Sequence, residues 1–274
     1  MQTSHIQMIK RALSSYAPPV FRAIRQSRRI LHARRNSRLQ ARLLPWKEKF
    51  IARHGFVVQG GPFAGMTFHK SSPEQAYLPL LTGSYEAETH PFIEAALKRD
   101  PSTIVDVGCE AGYVAVGLAR RAPAAKVIGF DIDPAMRDKC RTLAAANGVG
   151  DRVMIENACT PARLDELCAG RTLVFCDCEG YEYELLDPAK APNLKHADII
   201  VELHDFMRID VDITASITAR FAATHDIELV GIAPRAAGQF PSVSALPDAV
   251  RAEALQENRV AYQQWAFLRA KTRA

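Results

Sequence analysis

Nowhere do the 274 residues hold an apolar run approaching the roughly 18 residues a membrane-spanning helix needs, and the N-terminus lacks the compact apolar block of a secretory signal. The expectation is a cytoplasmic protein that is neither exported nor membrane-spanning. The six cysteines (Cys109, Cys140, Cys159, Cys168, Cys176 and Cys178) contain no CxxC pair, and a strand carrying Cys176 and Cys178 would place both on one face without zinc spacing. Reduced thiols in a core are expected, and no metal. There is no internal repeat and no low-complexity tract, and 48% hydrophobic with 24% charged residues excludes collagen-like, disulfide-scaffold and disordered chains. A chain of this length can bury a core without staples.

Acids are nearly missing from the first fifty residues. Residues 1–50 hold twelve Lys or Arg against Glu48 alone, whereas the remainder holds 29 acids against 23 basic residues. Segment 22–42 carries Arg22, Arg25, Arg28, Arg29, Arg34, Arg35, Arg38 and Arg42 among Phe21, Ile24, Ile30, Leu31, Leu39, Leu43 and Leu44, at imperfect helical spacing. One or two basic helices are predicted. Such an extension, 1–54, suits an anionic lipid surface, RNA, or an acid-poor targeting presequence. A solvated arm, or a helix docked on its own domain, is the plainer alternative.

Beyond it, 55–274 reads as one domain. Gly55–Gly61 and Met66–His69 suggest a short hairpin, and Glu86–Arg99 a helix ended by Asp100-Pro101. Apolar runs at 103–107, 126–130, 152–155, 172–177 and 197–203 then alternate with helical stretches near 112–122, 134–146, 160–168 and 181–187. Alternation of this kind builds βαβ units, hence a doubly wound α/β domain with a mostly parallel sheet. Helices at 212–224 and 246–257 and strands at 226–232 and 262–269 complete seven strands. Residues 233–246, rich in Ala, Gly and Pro, form a candidate mobile loop.

In such sheets ligands bind beyond the carboxyl ends of the strands. The first strand ends Asp106-Val107-Gly108-Cys109-Glu110-Ala111-Gly112 and the second ends Phe130-Asp131-Ile132. Glycines let backbone approach a ligand where a Cβ would collide, and Asp131 can accept from both ribose hydroxyls. A dinucleotide fold wants GxGxxG; here Glu110 places negative charge where a pyrophosphate would lie. A ribose-bearing cofactor with a cationic sulfonium and no phosphate suits Asp106 and Glu110 better, which points to S-adenosylmethionine.

DVGCEAG followed by FDID resembles the first two motifs of class I S-adenosylmethionine-dependent methyltransferases. The resemblance implies a loop under the methionine (Asp106, Gly108, Glu110, Gly112), an acid on the ribose (Asp131, with Ile132 beside it) and an adenine edge at Asn157 and Ala158. Gly83-Ser84-Tyr85-Glu86 resembles a pair before the first strand in FkbM-type methyltransferases, implying that Tyr85 and Glu86 rim the cofactor; Glu86 as a helix-start acid is the alternative. Asp177-Cys178-Glu179-Gly180-Tyr181-Glu182 resembles the same family's D-x-E-G-x-E signature, and Ile199–Asp205 its acid-containing partner strand. The likeness runs from about residue 83 to 205.

Three carboxylates within six residues repel one another, so at least one pKa should rise. Asp177 and His204, at the tips of adjacent strands, are the candidates for taking a hydroxyl proton, with Glu179 orienting substrate or base and Glu182 starting the next helix. A divalent ion on Asp177, Glu179 and His204 or Asp205 is a lesser alternative. The Asn/Asp-Pro-Pro-Tyr/Phe turn of enzymes that methylate base amino groups is absent, as are a GxxxxGK phosphate loop and a GxSxG elbow. The expectation is therefore methyl transfer to an oxygen of a small molecule or glycan. An RNA-associated methyltransferase using the arm, and a cofactor-binding protein without transferase activity, are the alternatives.

Overall fold

The computed structural model describes residues 18–71, 77–208, 210–257, 259 and 263–272, with the side chains of the first helix described from Ala33 onward. That helix, α1, is a single element, Pro18–His54, not two. The side chains of Arg22, Arg25, Arg28, Arg29, Phe21, Ile24, Ile30 and Leu31 lie outside the described set. The C-terminal half of α1 is docked rather than solvated: Leu43, Lys47 and Phe50, spaced to share one face, are buried. Phe50 packs with Leu78, Leu81, Phe240, Val243, Leu246 and Leu255. The expected hairpin is reduced to one antiparallel bridge, Val57 to Thr67, because glycines 60, 61 and 65 interrupt any longer ladder.

Two short helices, α2 (Leu78–Thr82) and α3 (His90–Leu97), precede the sheet. The helix expected from Glu86 opens instead with a 3-10 turn at Ala87–Thr89, since Glu86 adopts the left-handed region at φ 48°. Then come β1 (Thr103–Val107), α4 (Tyr113–Arg121), β2 (Lys126–Phe130), α5 (Pro134–Ala146), β3 (Val153–Glu156), α6 (Pro161–Leu167), β4 (Thr172–Cys176), α7 (Glu182–Leu185), β5 (Asp198–Leu203), α8 (Ile213–Phe221), β6 (His225–Gly231), α9 (Asp248–Ala254) and β7 (Gln264–Ala270). The helices begin where capping chemistry predicts: Asp133, Thr160 and Asp212 each accept from an amide of the first turn. Of the last predicted strand, Ala261 and Tyr262 lie outside the described residues.

The seven-stranded sheet has the order β3-β2-β1-β4-β5-β7-β6, with β7 antiparallel to both neighbours and the other pairs parallel. This is the doubly wound, Rossmann-like architecture expected from the sequence. Strand periodicity sorts the core onto two faces. Ile104, Leu173, Phe175, Ile200, Trp265 and Phe267 pack on one, and Val105, Val174, Cys176, Val201, Ala266 and Leu268 on the other. Strand order reverses between β1 and β4, the crevice where such sheets bind ligands. The stretch 233–246 is packed rather than loose: two 3-10 turns, Ala237–Gln239 and Pro241–Val243, bury Phe240, Val243 and Leu246. Phe240, Val243 and Leu246 pack in one cluster with Phe50 of α1 and Leu78 and Leu81 of α2.

Candidate active site

The bend after β1 is knitted to the end of β2. Gly108 and Cys109 donate their amides to the Phe130 carbonyl at 2.9 and 3.0 Å. Glu110 donates its amide to Asp131 Oδ2 at 2.9 Å, and Asp133 donates to Oδ1 at 2.8 Å. Each oxygen of Asp131 keeps a lone pair for a further donor. Arg137 donates to the carbonyls of Asp131 and Ile132 and to Asn157 Oδ1, tying the tips of β2 and β3 together. Ile132 is 79% exposed, an apolar side chain held in water beside a half-exposed carboxylate. Asn157 and Ala158 are exposed on the neighbouring tip.

The glycines have a different reason from the one expected. Gly108 sits at φ +85°, and a Cβ there would lie 1.7 Å from the Asp177 carbonyl oxygen; at Gly112, φ +95°, it would meet Cys140 Sγ at 2.6 Å. Both are required by close approaches, of the Asp177 carbonyl just after β4 and of Cys140 on α5. Asp106 is likewise not at the surface. It is buried, bonds to the Ala115 amide and leaves Oδ2 without a hydrogen bond. Burial pushes its carboxyl up to about 8, with the charges of Glu110 and Asp131 adding to the shift. Glu110 itself is raised by desolvation and by Asp131 and Glu179.

The parallel register pairs Cys176 with Val201, so the next residues, Asp177 and Glu202, emerge side by side on the face that carries Phe175 and Trp265. His204 is fully buried between them. Its Nε2 lies 3.4 Å from Asp177 Oδ1, 3.4 Å from Glu202 Oε2 and 3.8 Å from Glu179 Oε2. Its Nδ1 faces Glu182 Oε1 at 3.2 Å, and that same oxygen accepts the His204 amide at 2.8 Å. Burial opposes charge on the ring, yet Glu182 and Glu202 overcome it and hold the imidazole at about 11. At neutral pH His204 is therefore an imidazolium with no free lone pair, which corrects its expected part as a base.

Asp177 is pushed well above the usual carboxylate range by burial and the neighbouring Glu202, with His204 opposing. Its Oδ1 is buried and without a hydrogen bond. Glu202, despite burial, is held below its ordinary value by His204 and Arg259. Glu179 is exposed and sits at φ 55° in the left-handed region. Glu182 does open α7, as expected, but it is also fully buried and accepts the Gly180 amide at 2.7 Å. Asp205 is consumed by the start of α8, accepting from the amides of Ile213 and Thr214 and from the Thr214 hydroxyl, so it is no candidate metal ligand. Asp177, Glu179 and His204 lie close enough to converge on an ion, which would require His204 to give up its Nε2 proton; Glu86, Asp177 and Glu202 form a second such group.

Sequence reasoning missed what stands behind this cluster. Arg259 pairs with Glu202, with Glu257 at 2.8 Å and with Glu86 at 3.5 Å. Arg235 pairs with Glu88 at 2.5 Å and with Glu257. Glu86 is raised by burial and by Asp177, and Glu88 by burial. Tyr85 packs edge-on against Tyr113 at 5.7 Å, next to Glu86. Glu202 had a signal, since alternation places residue 202 on the face of 204; the two arginines belong to no motif. Three of the four non-glycine residues with positive φ among those described, Glu86, Glu110 and Glu179, belong to this site. Each costs about 1–2 kcal/mol, and strain of this kind gathers where function fixes the backbone.

Residues 104–186, which span the bend and the Asp177–Glu182 segment, match the family model described as a methyltransferase domain. This segment is thus similar to a methyltransferase domain. Over 94 residues the chain is 34% identical to a release factor glutamine methyltransferase of Cereibacter sphaeroides, an overlap of 33% of this chain and 34% of that protein. A ribosomal protein L11 methyltransferase of Enterobacter sp. (strain 638) is 38% identical over 71 residues, 24% of each chain. The chain thus spans about a third or less of the length of these curated relatives. The solved structure of the O-methyltransferase TomG from Streptomyces achromogenes aligns with 16% identity and a TM-score of 0.41, covering 74% of this chain and 82% of that one. In the methyltransferase domain the half-exposed Asp131, the outward Ile132 and the acidic bend fit an adenosyl sulfonium: a diol for the carboxylate, an apolar face for the base, and no room for phosphate charge.

Proposed function

We propose that the chain is an S-adenosylmethionine-dependent O-methyltransferase whose acceptor is a hydroxyl of a small molecule or glycan. S-adenosylmethionine supplies an electrophilic methyl group on a cationic sulfur. Asp131 holds the ribose, Ile132, Asn157 and Ala158 border the adenine, and the bend at 108–112 with Tyr85 and Glu86 encloses the rest. Residues 55–274 form the catalytic domain and 1–54 an extension, of which Leu43, Lys47 and Phe50 are buried against it. The D-x-E-G-x-E at 177–182 supports an FkbM-like placement among the methyltransferases.

The observation that carries the reading is an acid pair, the part-exposed Asp177 and the buried Glu202, flanked by an imidazolium at the tips of adjacent strands next to the bend. Asp177 is the base. Its Oδ1 has no hydrogen bond and can take the acceptor's hydroxyl proton as oxygen attacks carbon. His204 is a positioning residue: its positive charge stabilises the ionised form of Asp177, and Glu182 fixes the ring so that Nε2 faces that carboxylate. Glu179, exposed at the rim, orients the acceptor. Because Asp177 is raised by burial and Glu202, activity should climb with pH well above the ordinary carboxylate range.

Titration calorimetry with S-adenosylhomocysteine tests the cofactor. Binding is expected to the wild type and to weaken at least about tenfold, or ~1.4 kcal/mol, in Asp131→Ala. NAD should not bind. Binding of NAD in place of the homocysteine adduct would overturn the reading.

A further inference from the structure

Outside the bend, a cavity of about 500 Å³ lies between α1 and the C-terminal part of the chain. This is the size of a small-molecule site. Ile232, Ala233, Pro234 and Leu255 give it apolar walls, α1 contributes Arg35 and Asn36, and Arg235 and Arg259 close its inner side. Arg259 spans the distance to the active site: it lines the cavity and also binds Glu202, which is 3.4 Å from His204 Nε2. One guanidinium and one carboxylate therefore separate the cavity from the acid cluster.

The charges of the lining are unequal in kind. Arg235 and Arg259 are held by four acids, Glu86, Glu88, Glu202 and Glu257, of which Glu257 also lines the cavity. Arg35, exposed on α1, has no carboxylate at ion-pairing distance among the described residues. The cavity thus offers an apolar wall at Ile232–Pro234, Ala252 and Leu255, polar groups at Asn36, Gln256 and Glu257, and at its edge Arg35, a cation with no ion pair among the described residues.

We infer that this cavity binds an amphipathic organic anion, with its apolar body against Ile232–Pro234 and Leu255 and its anionic group on Arg35. On the methyltransferase reading that anion sits behind the Arg259–Glu202 pair, where it can act on the acid cluster through Arg259, and α1 is a wall of its site rather than a separate arm. The anion-binding claim itself does not depend on that reading.

8-Anilinonaphthalene-1-sulfonate, an apolar ring system with a sulfonate, is a direct probe by fluorescence titration of the full chain. One site is expected, weakened about tenfold or more, or ~1.4 kcal/mol, by Arg35→Glu, and unchanged by Arg34→Glu, whose residue is exposed on the same helix but does not line the cavity. Ala252→Trp, which fills the cavity from an exposed position on α9, should abolish the signal without touching Arg35. Decanoate should compete and decanol should not. Unaltered affinity in both Arg35→Glu and Ala252→Trp, or equal competition by decanol, overturns the proposal. S-adenosylhomocysteine calorimetry on the same variants separates the two claims: loss of that binding in the wild type alongside the expected dye pattern sinks the methyltransferase reading and leaves the pocket, whereas normal binding with an indifferent dye sinks the pocket alone.

Discussion

Glu182→Gln removes a charge and keeps the volume. In the wild type, Oε2 accepts the Gly180 amide at 2.7 Å, while Oε1 accepts the His204 amide at 2.8 Å and faces Nδ1 at 3.2 Å. A carboxamide must turn its NH₂ toward one of these donors, so at least one charged hydrogen bond of about 1.5–3 kcal/mol is lost and a buried N–H is left unpaired. The imidazolium also loses a counter-charge. Together these amount to about 3–5 kcal/mol, as for breaking one side of a buried ion pair. Urea unfolding followed by tryptophan fluorescence reads the loss.

NMR titration of the His204 ring reads its cause. The folded pKa, about 11, exceeds the ordinary 6.5, so this stabilisation is complete below 6.5 and disappears as pH rises toward 11. In Glu182→Gln the ring should titrate far lower, because burial, which favours the neutral ring, is then opposed by Glu202 and Asp177 alone. A wild-type His204 titrating near its ordinary value, or a variant that leaves both stability and titration in place, would falsify the account of the cluster.

Gly108→Ala should destabilise by more than about 3 kcal/mol, since it adds a Cβ to a crowded left-handed residue, whereas Gly148→Ala, at φ +66° with nothing within 4 Å, should cost only about 1 kcal/mol; equal costs in denaturant melts would refute the close approach of Asp177. Asp106→Asn should stabilise increasingly as pH rises from about 4 to its plateau above about 8, because the buried acid binds a proton in the fold that it releases when unfolded. Parallel melting curves for the two proteins over that range would show that Asp106 is solvated. Phe50→Ala should cost about 3–5 kcal/mol and Arg38→Ala less than about 0.5 kcal/mol; a negligible effect at Phe50 would mean that α1 is undocked.

Most of the sheet was legible because fully buried parallel strands read as short apolar runs: β1, β4 and β5 are buried throughout their cores. The bend and the Asp177–Glu182 segment were legible too, since acids and glycines directly after a strand are conspicuous. What they touch was not. The need for glycine at 108 comes from the Asp177 carbonyl, 69 positions on, and no local pattern announces such a crossing. The protonation of His204 depends on Glu182 turning inward through the left-handed residues Glu179 and Gly180, a backbone choice that propensity argues against for glutamate. Arg235 and Arg259 join acids more than fifty residues away through side chains alone. Composition misled for 233–246, where Phe240, Val243 and Leu246 are nonetheless buried in one cluster with Phe50 of α1 and Leu78 and Leu81 of α2.

The central claim is that the bend and Asp131 grip an adenosyl sulfonium. A crystal structure with S-adenosylhomocysteine bound tests it most directly. The account predicts the ligand along residues 108–112, its ribose hydroxyls donating to Asp131 and its thioether facing Asp177. A ligand seated elsewhere, or an Asp131 carboxylate turned away from the sugar, would contradict it.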